Sequence, residues 1–278
     1  MAHILVTGGT GKTGRRVVAE LAARGLEARA AVRRPPPNGV RFDWSDPDTF
    51  DPALHDIGAI YLVAPTGNGD PLAAMEPFLQ RALAAGVRRY VLLSASALPE
   101  GGPLMGQVHA FLHHAAPEWV VLRPSWFMQN FSEQQHFPTI RDEGVIYTAT
   151  GDGRVAFVHA DDIAAVAVAA LLGQAPCNQE YILTGPRALS YDEVAAIIAA
   201  AAGRPVMHRR LTEEQMAGWL SGVAGVPPAF AAALAAMDTA VANGAEDRVS
   251  PDVQTVTGRS PISFETFAAE NRTIWASS

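Results

Sequence analysis

The sequence predicts an α/β protein in which a doubly wound parallel sheet is followed by a smaller, mainly helical C-terminal lobe. Three observations favour this fold. A strand, a glycine-rich loop, a helix and a second strand open the chain, short apolar runs then alternate with helical patterns as far as residue 122, and the chain beyond residue 184 is mainly helical. Such alternation is typical of parallel sheets that carry helices on both faces.

The first element is a buried strand, because His3–Thr7 reads HILVT, a short apolar run. The loop TGGTGKTG follows at residues 7–14. Residues 15–25 place apolar side chains at helical spacing and end on a glycine. A second strand over residues 27–34 completes a strand-helix-strand unit of about 30 residues.

The glycine loop fits one of two nucleotide-binding patterns. A nucleotide-hydrolysing P-loop requires glycine where this chain has Val6, so that pattern fails. Gly9, Gly11 and Gly14 meet the dinucleotide pattern G-x-G-x-x-G, so we expect a Rossmann-type sheet; the alternative is a tight turn without a ligand. The residues expected to bind the phosphates are Thr7, Gly8, Gly9, Thr10, Gly11, Lys12, Thr13 and Gly14.

The later elements continue the same alternation. Strands are predicted over residues 40–42, 59–64, 89–94, 119–122 and 181–184, and helices over residues 71–85, 104–115 and 162–172. The predicted domains are a nucleotide-binding core of residues 1–130 and 150–184 and a substrate-side lobe of residues 131–149 and 185–278.

Composition excludes several classes of protein. The 278 residues are 49% hydrophobic, enough for a packed core, and a net charge of −7 with scattered basic residues argues against a nucleic-acid partner. Cys177 is the single cysteine, which excludes an internal disulfide. No secretory leader precedes the first strand and the most apolar stretch, residues 163–172, is too short to span a bilayer, so we expect a cytoplasmic protein without a membrane partner. A homodimer is compatible with this composition.

The end of the second strand indicates which dinucleotide binds. An NAD enzyme presents an acidic residue to the ribose hydroxyls about 20 residues beyond the glycines. This chain places Arg33 and Arg34 there, and a guanidinium can bind a 2′-phosphate through two hydrogen bonds. We therefore expect NADP(H), with a solvent-facing basic pair as the alternative.

Other strand ends supply further candidates, because ligands of parallel sheets lie across the carboxyl ends of the strands. Asp43 is expected to accept a hydrogen bond from the adenine amine and Trp44 to cover the ring, although a capping or surface role for Asp43 is equally compatible. Ser94 is expected beside the nicotinamide, or else to satisfy local backbone groups. Three more residues are expected against the cofactor: Ala64, Pro65 and Pro124.

Several longer motifs are similar to those of one known family. They are LVTGGTGKTGRRV, FDW, YLVAP, LLSAS, GGPLMGQVH, VLRPSWFMQNF, TGDGRVAFVHADDIAAVA, LTGPRALSYDEVA and NGAEDRV, which span nearly the whole chain. The chain resembles the NmrA-like atypical short-chain dehydrogenases/reductases, and in particular the ergot alkaloid biosynthesis reductase-type subfamily with its bacterial relatives. This resemblance implies a Rossmann core, a small C-terminal substrate region and NADPH as the usual cofactor, in members that are either reductases or redox sensors.

One departure from the wider superfamily limits the substrate. No Tyr-x-x-x-Lys follows the serine strand, and Met105 stands where many NmrA-like relatives carry lysine. A ketone that accepts hydride needs a positioned acid, whereas an iminium ion becomes a neutral amine and a quinone spreads its charge over the ring. We therefore expect an NADPH-dependent oxidoreductase that reduces a flat unsaturated small molecule, cyclic iminium or quinone in type. The alternative is a non-catalytic NADP(H)-binding redox sensor.

The candidate substrate site completes the prediction. His109, on the helix predicted over residues 104–115, is a candidate acid beside Ser94, with simple packing as the alternative. His109 and His113 are four residues apart, but no third ligand is apparent, so we expect no metal. The residues expected to wall the substrate pocket, with core packing as the rival interpretation for the aromatic segment, are Met105, Trp126, Phe127, Met128, Asn130 and Phe131.

Overall fold

The computed structural model describes residues 3–37, 39–65, 67, 69–133, 135–222 and 225–276. Its contacts divide the chain into two compact units. The first unit comprises residues 1–124, 160–183 and 251–259, and the second comprises residues 125–159, 184–250 and 260–278.

The strands confirm the predicted α/β class. They are β1 His3–Thr7, β2 Ala28–Val32, β3 Gly39–Arg41, β4 Ile57–Leu62, β5 Arg89–Leu93, β6 Glu118–Pro124, β7 Val145–Thr148, β8 Arg154–Val155, β9 Gln179–Leu183, β10 Leu189–Ser190 and β11 Met207–Arg210. Seven of them form one sheet in the first unit, in the order β3-β2-β1-β4-β5-β6-β9, and every pair is parallel. The order reverses between β1 and β4, which is where a doubly wound sheet opens a crevice for its ligand.

Helices connect the strands and form most of the second unit. They are α1 Gly14–Ala23, α2 Phe50–Leu54, α3 Pro71–Ala84, α4 Met105–Ala115, α5 Phe137–Glu143, α6 Ala160–Leu171, α7 Tyr191–Ala202, α8 Glu213–Gly222, α9 Pro228–Ala242, α10 Asp252–Thr257 and α11 Phe264–Trp275. Within the described parts of the chain, none of these helices combines the length and the apolar character that a membrane crossing needs.

The core of the first unit follows from alternation along its strands. Ile60 and Leu62 on β4 and Tyr90 and Leu92 on β5 are two residues apart, so each pair points to one face of the sheet. All four are fully buried in one cluster with Phe78 of α3. Burial of a large apolar side chain contributes about 1.5–3 kcal/mol, so this face holds the helix on the sheet.

The core of the second unit is an aromatic cluster around Phe131, which lies in a short 3₁₀ turn. The Phe131 ring meets the edges of Phe157 and Phe264, at centroid distances of 5.3 Å each. The Trp275 indole donates a hydrogen bond of 2.8 Å to the Phe131 carbonyl, which ties α11 to this cluster. A buried indole that keeps a hydrogen-bond partner adds its large apolar area without an unpaired donor.

The structure divides the chain at somewhat different places from those predicted. Residues 251–259 belong with the sheet, because the Asp252 carboxylate accepts a hydrogen bond of 2.8 Å from the Ile182 amide. Residues 125–130 and 150–159 belong to the second unit, because backbone hydrogen bonds of 2.9 and 3.0 Å join the two segments.

Asp238 gives the segment DTAVANGAEDRV a structural role. It lies in α9, is only 3% exposed, and accepts a hydrogen bond of 2.9 Å from the Ala149 amide within the second unit. Burial raises the pKa of the Asp238 carboxyl to about 6, while the bond from Ala149 acts in the opposite direction. The folded state therefore holds a proton here over a pH range in which an unfolded aspartate is ionised.

Asp238→Asn should change how the stability of the protein depends on pH. Between an ordinary pKa of 3.8 and the folded value of about 6, the folded wild type binds more protons than the unfolded chain, so its stability falls as the pH rises and then levels off. Asparagine keeps an acceptor for Ala149 but cannot ionise. The free energy of unfolding of the Asp238→Asn variant, relative to that of wild type, should therefore rise by up to about 3 kcal/mol between about pH 4 and pH 7.5.

Urea unfolding at both pH values measures this difference. Asp247→Asn is the matched control, because Asp247 lies in the same segment and is exposed. If the free energies of unfolding of wild type and of the Asp238 variant changed equally with pH, the buried carboxyl would not titrate as described.

Candidate active site

The glycine loop joins β1 to α1 and has the geometry of a phosphate cradle. Gly8 adopts a φ of +61°, and a side chain on Gly14 would collide with the Gly8 carbonyl. The Gly11 amide donates a hydrogen bond of 2.8 Å to that same carbonyl, which closes the turn. The positive end of the α1 dipole lies just beyond, so the loop can bind an anionic group.

Some residues predicted to touch the phosphates instead fix the loop. Thr7 is fully buried, and its hydroxyl accepts from the Val63 amide at 2.7 Å and donates to the Tyr61 carbonyl at 3.1 Å, so it joins the ends of β1 and β4. Thr13 is also buried, beside the Tyr61 phenol. Both residues were predicted to bind the phosphates, and with these side chains buried only their backbone groups stay candidates for that contact.

Arg16 is a loop anchor that the sequence reasoning missed. Its guanidinium donates a hydrogen bond of 2.7 Å to the Lys12 carbonyl and pairs with Asp161 on α6 at 2.5 Å. Arg16 lies one helical turn beyond the loop, so its spacing from Lys12 was a usable signal.

A cavity of about 730 Å³ opens beside the loop in the first unit. Eight of the predicted residues line it, namely Gly8, Thr10, Gly11, Arg33, Asp43, Trp44, Ala64 and Pro65. Six further residues of the described chain complete the lining, namely Ala31, Val32, Phe42, Ser45, Val63 and Ala74. Most of the added residues directly neighbour a predicted one, so the rule that ligands lie at strand ends located the cavity but not its full wall.

Arg33 and Asp43 give this cavity its charge. Hydrogen bonds to Asp43 from the Ser45 amide at 3.0 Å and the Ser45 hydroxyl at 2.7 Å hold the pKa of the Asp43 carboxyl below its usual range, and the Arg33 charge acts in the same direction. Arg33 is exposed at the cavity wall, whereas Arg34 is exposed outside the lining that the described residues form. The two arginines therefore differ in access to a bound ligand.

Trp44 forms the apolar part of the same wall. Its ring is half-buried and meets the rings of Phe42 and Phe78 edge-on, at 4.8 and 5.4 Å. Edge contacts of this kind fix the orientation of an indole while leaving one side available to a flat ligand.

Ser94 follows β5 at the same edge of the sheet. Its amide donates a hydrogen bond of 2.8 Å to the Leu122 carbonyl, and the Ser96 amide donates one of 2.9 Å to Pro124. The Ser94 hydroxyl is buried and has no hydrogen-bond partner among the described residues. A buried hydroxyl without a partner is costly, so it is a natural contact for a ligand that binds there.

The helix after this strand exposes a different residue from the one predicted. Met105 begins α4 and is buried in the core with Val108 and Leu112, at helical spacing on one face. Leu104, the preceding residue, is 44% exposed and has a φ of +53°. The assignment of Met105 to the substrate pocket is therefore corrected, because the first residue of the helix points into the core.

His109 is buried rather than open to a substrate. It is 1% exposed, and neither ring nitrogen has a hydrogen-bond partner within the described chain. Its ring nitrogens lie 3.9 Å from a Glu100 oxygen and 3.7 Å from a Glu180 oxygen. Burial lowers the pKa of His109, Glu100 and Glu180 raise it, and Arg123 lowers it further. The imidazole is therefore held neutral, which corrects its placement as an accessible acid.

Apart from Met105, the residues predicted to wall the substrate pocket lie in the second unit and divide into two groups. Trp126, Phe127 and Asn130 are half-buried and stay candidates for contact with a ligand. Met128 and Phe131 are buried, and Phe131 is the centre of the aromatic core, which corrects its assignment to the pocket. Among the described residues, no group of three His, Cys, Asp or Glu side chains is arranged to hold a metal ion.

Comparison with known proteins agrees with this geometry. The chain matches the NAD(P)H-binding family over residues 8–173. It is 44% identical over 278 residues to the uncharacterised oxidoreductase YesF of Bacillus subtilis, with 99% of this chain and 96% of the relative covered. It is 39% identical to the agroclavine dehydrogenase of Claviceps fusiformis, with 98% of each chain covered.

Solved structures share the fold. The NADPH-dependent quinone oxidoreductase of Escherichia coli, in complex with NADPH, superposes with a TM-score of 0.77 at 23% identity, with 96% of this chain and 99% of that chain covered. The family match and the sequence relatives show that the chain belongs to the NAD(P)H-binding, NmrA-like group of atypical short-chain dehydrogenases/reductases and is an NAD(P)H-dependent oxidoreductase.

Proposed function

We propose that this oxidoreductase uses NADPH to reduce a flat, unsaturated small molecule whose reacting group is a cyclic iminium or a quinone. The observation that carries the proposal is that the described residues place no accessible acid near the end of β5. The Ser94 hydroxyl has no hydrogen-bond partner in the part of the chain that the structure describes, His109 is buried with a lowered pKa, and the sequence has no Tyr-x-x-x-Lys after the strand. A site of this kind suits substrates that accept hydride without a proton in the same step.

The residues of the first unit divide the work of binding the cofactor. The glycine loop and the α1 N-terminus bind the two phosphates, and Arg33 binds a 2′-phosphate through its guanidinium. Asp43 and Trp44 hold and cover the adenine. The bound cofactor supplies the hydride, while Ser94 offers one hydrogen bond at the reacting end and the packed walls exclude water.

The names of the relatives support the substrate class. One relative is an agroclavine dehydrogenase, and a protein of the same fold is a quinone oxidoreductase. A quinone is a flat ring, and half-buried aromatic side chains such as Trp126 and Phe127 are suitable contacts for a substrate of that shape. Removing a positioned acid typically lowers the rate of ketone reduction by about 10²–10⁴-fold, which ranks ordinary carbonyl compounds last.

Oxidation of NADPH in the presence of three kinds of probe tests this proposal. We expect turnover with a cyclic iminium salt and with a quinone, and turnover of a simple ketone or aldehyde that is slower by at least about 10²-fold. A higher kcat/KM for simple carbonyl compounds would contradict the proposed class, and so would tight NADPH binding without turnover of any probe.

Arg33→Ala should remove most of the preference for NADPH over NADH. A charged hydrogen bond to the 2′-phosphate contributes roughly 1.5–3 kcal/mol, so the wild type should bind NADPH at least about tenfold more tightly than NADH. Calorimetric titration with each cofactor measures the preference. Arg34→Ala is the matched control, because Arg34 carries the same charge outside the cavity lining, and it should retain the preference. Equal binding of both cofactors by the wild type would refute the role of Arg33.

His109→Ala should leave hydride transfer to an iminium within about threefold of wild type, because no proton enters that step and the imidazole is buried. Single-turnover rates with deuterated NADPH keep product release from hiding the chemical step, and the melting temperature shows whether the variant is folded. A loss of about 10²-fold, together with a missing limb in the pH profile, would establish His109 as the acid and rule out the acid-free mechanism.

A further inference from the structure

Arg123 is a buried cation that contacts the two residues following Ser94. It is the second-last residue of β6 and is 9% exposed. Its guanidinium donates hydrogen bonds to the Ser96 carbonyl at 2.7 Å and to the Ala95 carbonyl at 3.4 Å. A third nitrogen pairs with Glu180 of β9 at 2.5 Å. One side chain therefore connects β9 and β6 to the segment that leaves β5.

The geometry at the end of β5 explains why this segment needs such a contact. The strand ends at Leu93, so the next residues no longer have a strand to pair with on both sides. The amides of Ser94 and Ser96 are held by carbonyls of β6. The Ser96 carbonyl accepts from Arg123 at 2.7 Å, and the Ala95 carbonyl accepts from Arg123 at 3.4 Å and from the Leu98 amide at 3.0 Å. A lysine ammonium could not reproduce the planar fork that reaches both carbonyls.

Glu180 makes the burial of this arginine tolerable. An unpaired buried charge destabilises a protein strongly, and removing one partner of a buried pair leaves the other uncompensated. One Glu180 oxygen accepts from Arg123 and the other faces His109 at 3.7 Å. Arg123 is therefore fixed at one end by Glu180 and fixes the exit of β5 at the other.

We propose that Arg123, held by Glu180, is a positioning residue for hydride transfer. It fixes the backbone conformation of residues 94–96 and so places the Ser94 hydroxyl against the reacting end of the cofactor. This inference rests on the proposed function, which assigns Ser94 to that end. A misplacement of about 1 Å in a reacting geometry lowers a rate by roughly 10²-fold, so a loosened exit should lower kcat more than it weakens cofactor binding.

A second arginine provides a matched control. Arg89 begins β5 at the opposite edge of the same sheet, where the amino ends of the strands lie. Its guanidinium bonds to Glu118 at 2.5 and 2.8 Å and donates to the carbonyls of Ala170 and Leu171 at 3.3 and 3.4 Å. Each arginine thus pairs with one glutamate and donates to two carbonyls, but only Arg123 contacts the residues that directly follow Ser94.

The test compares Arg123→Lys and Glu180→Gln with Arg89→Lys and Glu118→Gln. All four variants weaken an arginine–glutamate pair, so a merely structural role would lower the melting temperature in each. Two further readouts separate the pairs: the single-turnover rate of hydride transfer to the probe that the wild type uses, and the emission of bound NADPH, which reports the surroundings of the nicotinamide. The second readout does not depend on turnover.

We expect Arg123→Lys to lower the single-turnover rate by at least about tenfold and to alter the NADPH emission, while the NADPH Kd changes by less than about threefold. Glu180→Gln should do the same to a smaller extent, and it keeps the test valid if Arg123→Lys fails to fold. The two control variants should keep the wild-type rate and emission.

Equal effects in the two pairs of variants, or unchanged rate and emission in the Arg123 and Glu180 variants, would overturn the positioning role. A wild type that turns over no probe but whose NADPH emission changes in those two variants would contradict the proposed substrate class and still support the positioning of Ser94. If the wild type turns over no probe and the two variants leave the NADPH emission unchanged, the placement of Ser94 on which the inference rests is overturned.

Discussion

All the strands of the parallel sheet end at one edge, and the backbone groups beyond those ends need new hydrogen-bond partners. The first unit satisfies them with specific side chains. The Thr7 hydroxyl bonds to two backbone groups at the end of β4, and the Arg123 guanidinium bonds to two carbonyls beyond β5. Buried backbone groups without partners are rare because each costs about 1–3 kcal/mol. The same edge then has a fixed shape on which a cofactor can be bound.

The glycine loop also lies beyond a strand end, and its backbone conformation is fixed by glycines and by a hydrogen bond within the loop. Its turn is closed from within by the hydrogen bond from the Gly11 amide to the Gly8 carbonyl, and the positive end of the α1 dipole favours an anion beside the loop. Gly8 and Gly14 permit this because a side chain at either position would strain or block the turn. Arg16 then holds the loop from the helix side through the Lys12 carbonyl. Rigid anchors on both sides of the loop thus leave the cradle itself free for the ligand.

Much of this edge could be predicted from the sequence, because local patterns determine it. The strand His3–Thr7 has the predicted bounds, and the rule that ligands lie at strand ends located Arg33, Asp43 and Trp44 on one cavity. The sequence did not predict correctly which way individual side chains point. The sequence places Met105 at the start of a helix but does not reveal that Leu104 has a positive φ, which turns Met105 into the core.

Other residues were missed because their partners are distant in the chain. The partner of Arg123 is 57 residues away, and Asp238 bonds to an amide 89 residues before it. Periodicity identifies the face of a helix or strand, but it carries no information about which charge or amide from another element will meet it. The aromatic segment after Arg123 shows the same limit. An aromatic residue such as Phe131 is typical both of a pocket wall and of a core, and only the structure shows that it lies in the core.

Residues 94–109 concentrate features that local energetics disfavour. The Ser94 hydroxyl and both His109 nitrogens are buried without hydrogen-bond partners in the described chain, and Leu104 has a backbone conformation that a non-glycine residue adopts only at a cost of about 1–3 kcal/mol. Such features persist only where the surroundings are rigid, and here Arg123 and Glu180 supply that rigidity. A segment that is strained, incompletely hydrogen-bonded and firmly anchored is pre-organised to gain contacts from a ligand. Of the unsatisfied groups, only the Ser94 hydroxyl belongs to the proposed site and would gain a partner from a bound ligand, whereas the His109 ring is packed against Trp119.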